Sequence, residues 1–325
     1  MIRFLKILLR ILLFPALTLL SYVWVLVHQK RIIYGKYEKM PIPVVCVGNV
    51  TLGGAGKTPT VIFLVDYLKK NKIKVHVVSR GYGGKFKDTV LVNPKTHTAF
   101  DVGDEPLLIS QHTKVWVSKK KKEGVLSAYK AGAEIVLLDD GYQNFSIAKN
   151  LNILVFDAET NIKNERVFPL GNLRESPSSA IARADFLICL GSPISRKIFQ
   201  QTFMQHYNSK IVEGEFKPNI IPMLRKRKIV AFCGIGRPEK FFSMLRDLNM
   251  KVIEQISFPD HYFYSKKQIA KILEIAEKNN ALVVTTEKDY VKIATIYKQV
   301  IYPINIELQL SKSKKFLLKL KNLVF

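Results

Sequence analysis

A glycine-rich turn between an apolar segment and a helical pattern constrains the fold of this chain more than any other feature. Residues 41–50 (PIPVVCVGNV) are typical of a strand buried on both faces of a parallel sheet. A helical pattern follows from Pro59 to about Lys70. Strand, glycine-rich turn and helix in this order are typical of a P-loop, in which backbone amides and a helix N-terminus bind phosphate. The sequence therefore predicts an α/β fold built on a mostly parallel sheet.

Every residue of the turn is predicted to contact the phosphates of ATP. These residues are Thr51, Leu52, Gly53, Gly54, Ala55, Gly56, Lys57 and Thr58. Lys57 is expected to bridge the β- and γ-phosphates, and Thr58 to offer a hydroxyl to Mg²⁺. The turn departs from the strict pattern, which has glycine where Thr51 stands, and the simpler alternative is a glycine turn with a surface lysine. Leu52 replaces a lysine found in the membrane-associated ATPases that form a switch dimer, which argues against that class.

Further apolar runs separated by helical patterns indicate a doubly wound α/β organisation. Six more strands are predicted in the first part of the chain, at 75–79, 89–92, 114–117, 134–138, 151–156 and 185–190. A link over residues 214–227 is expected to lead into a smaller α/β unit. We therefore predict a membrane-associated helix over residues 1–30, a P-loop domain over 31–213, and a smaller α/β domain over 214–325 that closes over the active site.

Several polar residues follow predicted strands, where active sites of such sheets lie. Asp139 and Asp140 come after four apolar residues, as in a Walker B strand whose carboxylate holds magnesium, although Asp-Asp-Gly is also ordinary turn chemistry. Asp104 lies in a Gly-Asp-Glu-Pro turn, where it is either a helix N-cap or a base for a substrate hydroxyl. His261 follows a strand of the second unit, where that unit could close over the P-loop, although a lone histidine is more often structural.

The first thirty residues favour membrane association. Residues 11–27 are apolar with basic residues on both sides, a length at the lower limit for crossing a bilayer. On a helix, one narrow polar stripe is formed by Arg3, Lys6, Arg10, Thr18, Ser21 and His28. A helix that lies in the membrane interface fits this pattern better than a full span, and better than a buried core helix.

The net charge of +25 favours an anionic partner, namely nucleic acid, an anionic membrane surface or a phosphorylated substrate. Because no nucleic-acid recognition motif is present, we expect no nucleic-acid partner. The three cysteines have no metal-ligand spacing and lie in apolar runs, so they are interpreted as core residues of a protein from a reducing compartment.

Taken together, the motifs resemble those of the tetraacyldisaccharide 4'-kinases, the lipid A 4'-kinases of Gram-negative bacteria. The resemblance covers nearly the whole chain and rests on Gly48-Asn49, Gly53-Gly-Ala-Gly-Lys-Thr-Pro59, Ser79-Arg-Gly-Tyr-Gly83, Gly103-Asp-Glu-Pro106, Asp139-Asp-Gly-Tyr-Gln143, Leu173-Arg-Glu175, Ala231-Phe-Cys-Gly-Ile-Gly-Arg-Pro-Glu239, Phe258-Pro-Asp-His-Tyr262 and Thr285-Thr-Glu-Lys-Asp289. The chain departs from the family at Asn144-Phe145, where His-Arg is usual, and at Lys119–Lys122, where an arginine is often present.

The resemblance implies transfer of the γ-phosphate of ATP, with Mg²⁺, to the 4'-hydroxyl of a tetraacylated glucosamine disaccharide 1-phosphate, at the cytoplasmic face of the bacterial inner membrane. It implies that Asp104 and His261 form the catalytic pair. It also makes Asp139, Asp140 and Glu175 candidates for organising magnesium. The alternative function is a membrane-associated P-loop ATPase without a small-molecule phosphoryl acceptor.

Overall fold

The computed structural model describes residues 2–160, 166–203, 210–219 and 221–324, and side chains from residue 13 onward. Its helices are α1 (Ile2–Tyr34), α2 (Lys57–Lys70), α3 (Ala99–Val102), α4 (Asp104–Ile109), α5 (Lys121–Lys130), α6 (Pro177–Arg183), α7 (Pro193–Phe203), α8 (Pro238–Asp247), α9 (Lys266–Lys278), α10 (Glu287–Tyr290) and α11 (Lys314–Lys321). Its strands are β1 (Val44–Gly48), β2 (Val75–Ser79), β3 (Val90–Leu91), β4 (Val115–Val117), β5 (Ile135–Asp139), β6 (Leu151–Asp157), β7 (Phe186–Leu190), β8 (Ile211–Asn219), β9 (Lys228–Cys233), β10 (Lys251–Ser257), β11 (Ala281–Thr286) and β12 (Ile301–Ser311).

These strands form one large, mostly parallel sheet in a mixed α/β fold. The order of the described strands is β10-β9-β11-β12-β8-β7-β6-β1-β5-β2-β4-β3. Strands β1, β2, β5 and β7 are buried at every residue, which explains why their sequences are continuous apolar runs. Apolar side chains cover both faces of the sheet around β1, in two separate core clusters.

Only two pairings between the described strands are antiparallel, β3 with β4 at one edge and β8 with β12 in the middle. Strand β12 pairs with β11 through residues 301–304 and with β8 through residues 305–311. The last residue of β11, Thr286, pairs with Ile304, and the last residue of β8, Asn219, pairs with Asn305. Two sets of parallel strands are thus joined at β12: a first set of β1, β2 and β4–β8, and a second set of β9–β11 with the first half of β12. The carboxyl ends of the two sets face each other, and the loops that follow them meet in one cleft.

Strand β8 replaces much of the link that the sequence predicts over residues 214–227. Its charged residues Glu213, Glu215 and Lys217 alternate with more enclosed positions, as in a strand that turns one face toward the core. A short 3₁₀ turn over Pro222–Lys226 then leads into β9. The missed strand is the one that joins the two parallel sets into a continuous sheet.

Helix α1 lies against the protein through a narrow polar face. Ser21 and His28, seven residues apart, are its buried positions among the described side chains, whereas Leu19, Tyr22 and Ile33 are well exposed. The predicted polar stripe therefore faces inward at Ser21 and His28, while the side chains of Arg3, Lys6 and Arg10 lie outside the described ones. Within the described residues, no helix combines the length and apolar character needed to cross a bilayer.

Candidate active site

The glycine-rich loop lies at the carboxyl end of β1 and leads directly into α2. Gly56 is the N-cap of α2 and has a positive φ of 86°, which favours glycine. A Cβ at this position would also lie 2.5 Å from Cδ1 of Leu190, so a side chain would collide with β7. The loop thereby presents the N-terminus of α2, with Lys57 as its first residue, to the cleft.

Asn49, which precedes the loop, holds its shape. Its side-chain amide donates to the carbonyl and the hydroxyl oxygens of Thr51, both at 2.9 Å. Its side-chain oxygen, Oδ1, accepts a hydrogen bond from Nζ of Lys57 at 3.1 Å. Asn49 is fully buried, so these bonds form in a place with little competition from water. Sequence reasoning did not assign Asn49 a function, because a single asparagine before a loop has no distinctive spacing.

Asp139 and Asp140 lie at the carboxyl end of β5, next to the loop. Asp139 is buried and accepts a hydrogen bond from the hydroxyl of Ser79 at 2.9 Å. Asp140 contacts Arg174 at 2.7 Å and lies 3.8 Å from Nζ of Lys57. Burial and the adjacent charge of Asp140 raise the pKa of Asp139. Burial opposes ionisation of Asp140 as well, but Lys57 and Arg174 outweigh it and hold its pKa below the usual value.

A buried lysine stabilises the backbone behind these two carboxylates. Nζ of Lys121 donates to the carbonyl oxygens of Val78 and Asp139 at 3.2 and 3.1 Å, which ties the ends of β2 and β5 together. Burial lowers the pKa of Lys121 to about 8. The run Lys119–Lys122 is typical of a solvated surface, so sequence reasoning did not identify this buried member.

Glu175 lies in a different environment from the two aspartates. Its carboxylate is almost fully buried and contacts Arg183, Nε2 of His28 at 3.2 Å and the side-chain amide of Gln143 at 3.0 Å. Gln143 also donates to the backbone carbonyl of Asn49. Glu175 is therefore connected to the glycine loop through Gln143, while its own oxygens are already engaged by protein donors.

Asp104 and His261 are in direct contact although 157 positions separate them. Nδ1 of His261 lies 2.9 and 3.1 Å from the two carboxylate oxygens of Asp104. Asp104 is the first residue of α4, whose N-cap is Gly103, so the alternative interpretation of Asp104 as an N-cap is wrong. His261 has a φ of 58°, an uncommon conformation for a residue with a side chain, and it carries the ring toward Asp104.

The charge states of this pair follow from its contacts. Burial raises the pKa of Asp104, but the hydrogen bond from His261 and the charge of Lys288 outweigh it, so that its pKa lies well below the usual value. The same hydrogen bond raises the pKa of His261 against the effects of burial and Lys288. Asp104 is consequently ionised at neutral pH in an environment with little water.

The described part of the cleft is lined by both groups of residues, with Lys57, Thr58, Asp139 and Asp140 on one side and His261 and Lys288 on the other. A mixed α/β sheet with a lysine-bearing glycine loop, adjacent carboxylates and a carboxylate–histidine pair has the parts of an enzyme that transfers phosphoryl groups. Comparison with known proteins agrees and is more specific. Residues 10–324 match the family described as tetraacyldisaccharide-1-P 4'-kinase, and the chain belongs to that family.

Individual relatives are similar over most of their length. The tetraacyldisaccharide 4'-kinase of Rhodospirillum rubrum is 42% identical over 256 residues, which cover 78% of this chain and 77% of that protein. The tetraacyldisaccharide 4'-kinase of Parvibaculum lavamentivorans is 39% identical over 280 residues, which cover 85% and 80%. A crystal structure of LpxK from Aquifex aeolicus in complex with ATP is 30% identical, covers 98% of this chain and all of that one, and has a TM-score of 0.78.

Proposed function

We propose that this chain is an ATP-dependent lipid kinase that phosphorylates the 4'-hydroxyl of a tetraacylated glucosamine disaccharide 1-phosphate. Membership of the tetraacyldisaccharide 4'-kinase family supports the reaction and the substrate. The observation that carries the proposal at the level of residues is the contact between buried Asp104 and His261, because His261 lines the same cleft as the glycine loop. An ionised carboxylate in this place can accept the proton of a substrate hydroxyl.

The proposed ATP site is the loop from Thr51 to Thr58. Its amides and the N-terminus of α2 would surround the phosphates, and Lys57 would neutralise their charge. Nζ of Lys57 lies 3.1 Å from the side-chain oxygen of Asn49 and 3.8 Å from the carboxylate of Asp140, so contacts within the protein fix its position. Such preorganisation is how a fixed charge stabilises a transition state without reorganising.

The residues near the loop fit a magnesium ion. Asp139 and Asp140 are neighbouring carboxylates, and burial together with the charge of Asp140 raises the pKa of Asp139, so a cation beside Asp139 would stabilise its ionised form. Carboxylate and hydroxyl oxygens are the ligands that Mg²⁺ prefers, so Thr58, Asp139 and Asp140 would hold the ion, which neutralises phosphate charge when bound. We propose that Glu175, whose oxygens already accept from other side chains, organises this site through Gln143.

The three predicted regions have distinct proposed roles. Residues 31–213 would bind ATP, and residues 214–325 would bring His261 to the site by closing over it. The helix within residues 1–30 would hold the protein at an anionic membrane surface, on the cytoplasmic face of the inner membrane. Exposed apolar side chains on α1, such as Leu19 and Tyr22, support an interfacial position because they gain by leaving water.

One experiment tests the proposed function directly. Purified protein is incubated with γ-labelled ATP, Mg²⁺ and tetraacyldisaccharide 1-phosphate in detergent micelles, and the lipid is separated and counted. We expect the label in the lipid, at a 4'-phosphate. Release of labelled phosphate without labelled lipid would favour the alternative, an ATPase that has no small-molecule acceptor.

A further inference from the structure

A partly buried lysine, Lys288, connects the two sides of the cleft next to the Asp104–His261 pair. Lys288 lies on α10, which follows β11 in the second parallel set. Its Nζ lies 2.9 Å from Glu105 and 3.7 Å from Asp104, both on α4 in the first set. It also lies 3.5 Å from Asp260 and 3.5 Å from Nε2 of His261. The side chain is only 22% exposed.

The charges around Lys288 do not balance without it. Three carboxylates, those of Asp104, Glu105 and Asp260, approach one ammonium group and one imidazole ring. The described ligand atoms of Asp104, Glu105 and His261 are within 4.8 Å of one another, which is also the spacing of a metal site. Lys288 supplies a positive charge at this place, and its ammonium group lies within 3.7 Å of all three carboxylates.

The location of Lys288 relative to the imidazole also favours one tautomer. Its ammonium group lies on the Nε2 side of the ring, and a proton on Nε2 would face another positive charge. Asp260 lies 3.8 Å from the same nitrogen, but the proton of the neutral ring belongs on Nδ1, because this atom lies 2.9 Å from the carboxylate of Asp104, which can only accept. The ring of Tyr82 packs against His261, with 5.1 Å between the ring centroids, and adds no formal charge.

We propose that Lys288 is a positioning residue of this active site, which holds Asp104 and His261 together across the cleft through its contacts with both. The inference rests on the proposed function, because it assigns Lys288 a role in the same reaction. This role explains why a lysine is partly buried at a place where α4 of the first half meets the segment after β10 of the second half. Lys288 has three acidic neighbours, so removing its charge affects the whole cluster.

The directions of the pKa shifts agree with this role. The charge of Lys288 lowers the pKa of Asp104 and that of His261. Burial raises the pKa of Glu105 to about 7, a rise that Lys288 opposes. Conversely, Glu105, Asp104 and Asp260 overcome the effect of burial and raise the pKa of Lys288, so it keeps its charge at neutral pH. Without Lys288, the pKa values of Asp104 and His261 should both rise.

The test is the dependence of kcat on pH for Lys288→Met and Lys288→Arg, with the lipid acceptor and saturating ATP. We expect Lys288→Met to lower kcat at pH 7 by at least tenfold. We also expect the acid limb of its profile to move to higher pH by at least half a unit, because protonation of the base becomes easier. Lys288→Arg keeps the charge and should restore most of kcat and the original profile. ATP affinity should stay within about threefold.

Two further measurements keep the test decisive. Lys278→Met makes the same chemical change at an exposed lysine of the same half and should leave kcat and its pH profile unchanged. Lys288→Gln, which keeps a donor without the charge, replaces Lys288→Met if that variant does not fold. A folded uncharged variant with an unshifted profile, or with losses that only follow its melting temperature, would overturn the inference. Absence of lipid labelling by the unaltered protein would instead contradict the proposed function.

Discussion

At the scale of residues, the site separates two tasks that both need charge. Lys57, Asp139 and Asp140 lie around the loop, where we propose that phosphate and metal bind, and contacts with Asn49, Ser79 and Arg174 fix their positions. Asp104 and His261 form a second group, fixed by each other and by Lys288. Each task can therefore be tested by its own substitution.

Substitution of Lys57 tests the phosphate site. Its ammonium group contacts Asn49 and Asp140, and its side chain is only 13% exposed, so Lys57→Ala removes a positive charge at the loop. We expect kcat/KM to fall by about 10²-fold or more, as when one charge-stabilising group is lost. Circular dichroism and the melting temperature should stay close to those of the unaltered protein. Near-normal turnover by the folded variant would contradict the proposed ATP site.

Substitutions at Asp104 and His261 test whether the pair acts as a unit. We expect Asp104→Ala and His261→Ala to lower kcat by about 10²–10⁴-fold, the usual contribution of a general base. The double variant should be no slower than the worse single variant, because cooperating groups are not additive. ATP affinity, measured by calorimetry, should change little.

The structural alternative for this pair makes a different prediction. If the contact only stabilises the fold, each single variant should show a small loss of rate in proportion to its loss of melting temperature. The losses should then combine additively in the double variant, which kinetics and melting curves on the same preparations would reveal.

At the scale of elements, helix α1 is docked onto the segment that supports the glycine loop. Ser21 accepts from the backbone of Leu170 and donates to Val167, and the indole of Trp24 donates to the carbonyl of Arg174 at 2.9 Å. The same segment pairs with the loop, because the amide of Leu52 donates to Asn172 and that of Arg174 donates to Val50. The helix expected to bind membrane is thus in contact with the support of the phosphate site.

A matched pair of substitutions on α1 distinguishes the role of its buried face from that of its exposed face. His28 is buried against Glu175 and Phe145, so His28→Ala should destabilise the protein by about 1–3 kcal/mol through the loss of a buried polar contact. Its binding to anionic vesicles should be unchanged. Tyr22, 63% exposed on the opposite face, should behave in the reverse way, with Tyr22→Ala weakening vesicle binding and leaving the melting temperature unchanged.

Denaturant unfolding and vesicle sedimentation on both α1 variants provide the measurements. If Tyr22→Ala destabilised the fold while vesicle binding was retained, α1 would be a core helix and its interfacial position would be wrong.

At the scale of the whole molecule, ion pairs also join the two halves near the N-terminus of α8. Asp157, at the end of β6, accepts from Arg237 and Lys240, both at 2.5 Å. Lys240 also lies 2.7 Å from Glu159. Together with the Lys288 cluster, these contacts span the cleft between the facing strand ends. Charged side chains from both halves therefore hold the two sides of the cleft together.

Removal of the shared carboxylate tests this joint. Asp157→Asn leaves Arg237 and Lys240 competing for weaker acceptors, and we expect a loss of about 1–3 kcal/mol in the free energy of unfolding. The loss should be smaller at high salt, since part of it is electrostatic. Glu274→Gln, in an exposed pair within α9, is the matched control and should have little effect. Equal stability of both variants would indicate that the joint contributes nothing.

Much of the architecture could be predicted because local sequence patterns determine the individual strands and helices. Strands β1, β2, β5 and β7 are continuous apolar runs, and helix α9 begins at a capping box of Ser265 and Gln268, which are three residues apart in the sequence. Strand β8 was missed because its alternating charged residues have the composition of a linker. Lys121 and Asn49 were missed for a different reason, because their burial depends on neighbours that are distant in sequence.

By itself, the sequence determined the family, the α/β class and the residue types available for chemistry, because motif spacing and periodicity are properties of short segments. Only the tertiary structure decided how these parts meet. The register of β12, which changes partners between Ile304 and Asn305, turns the two parallel sets toward each other. That one joint brings His261 and Lys288 to Asp104, a result of strand pairing over long distances that no local pattern encodes.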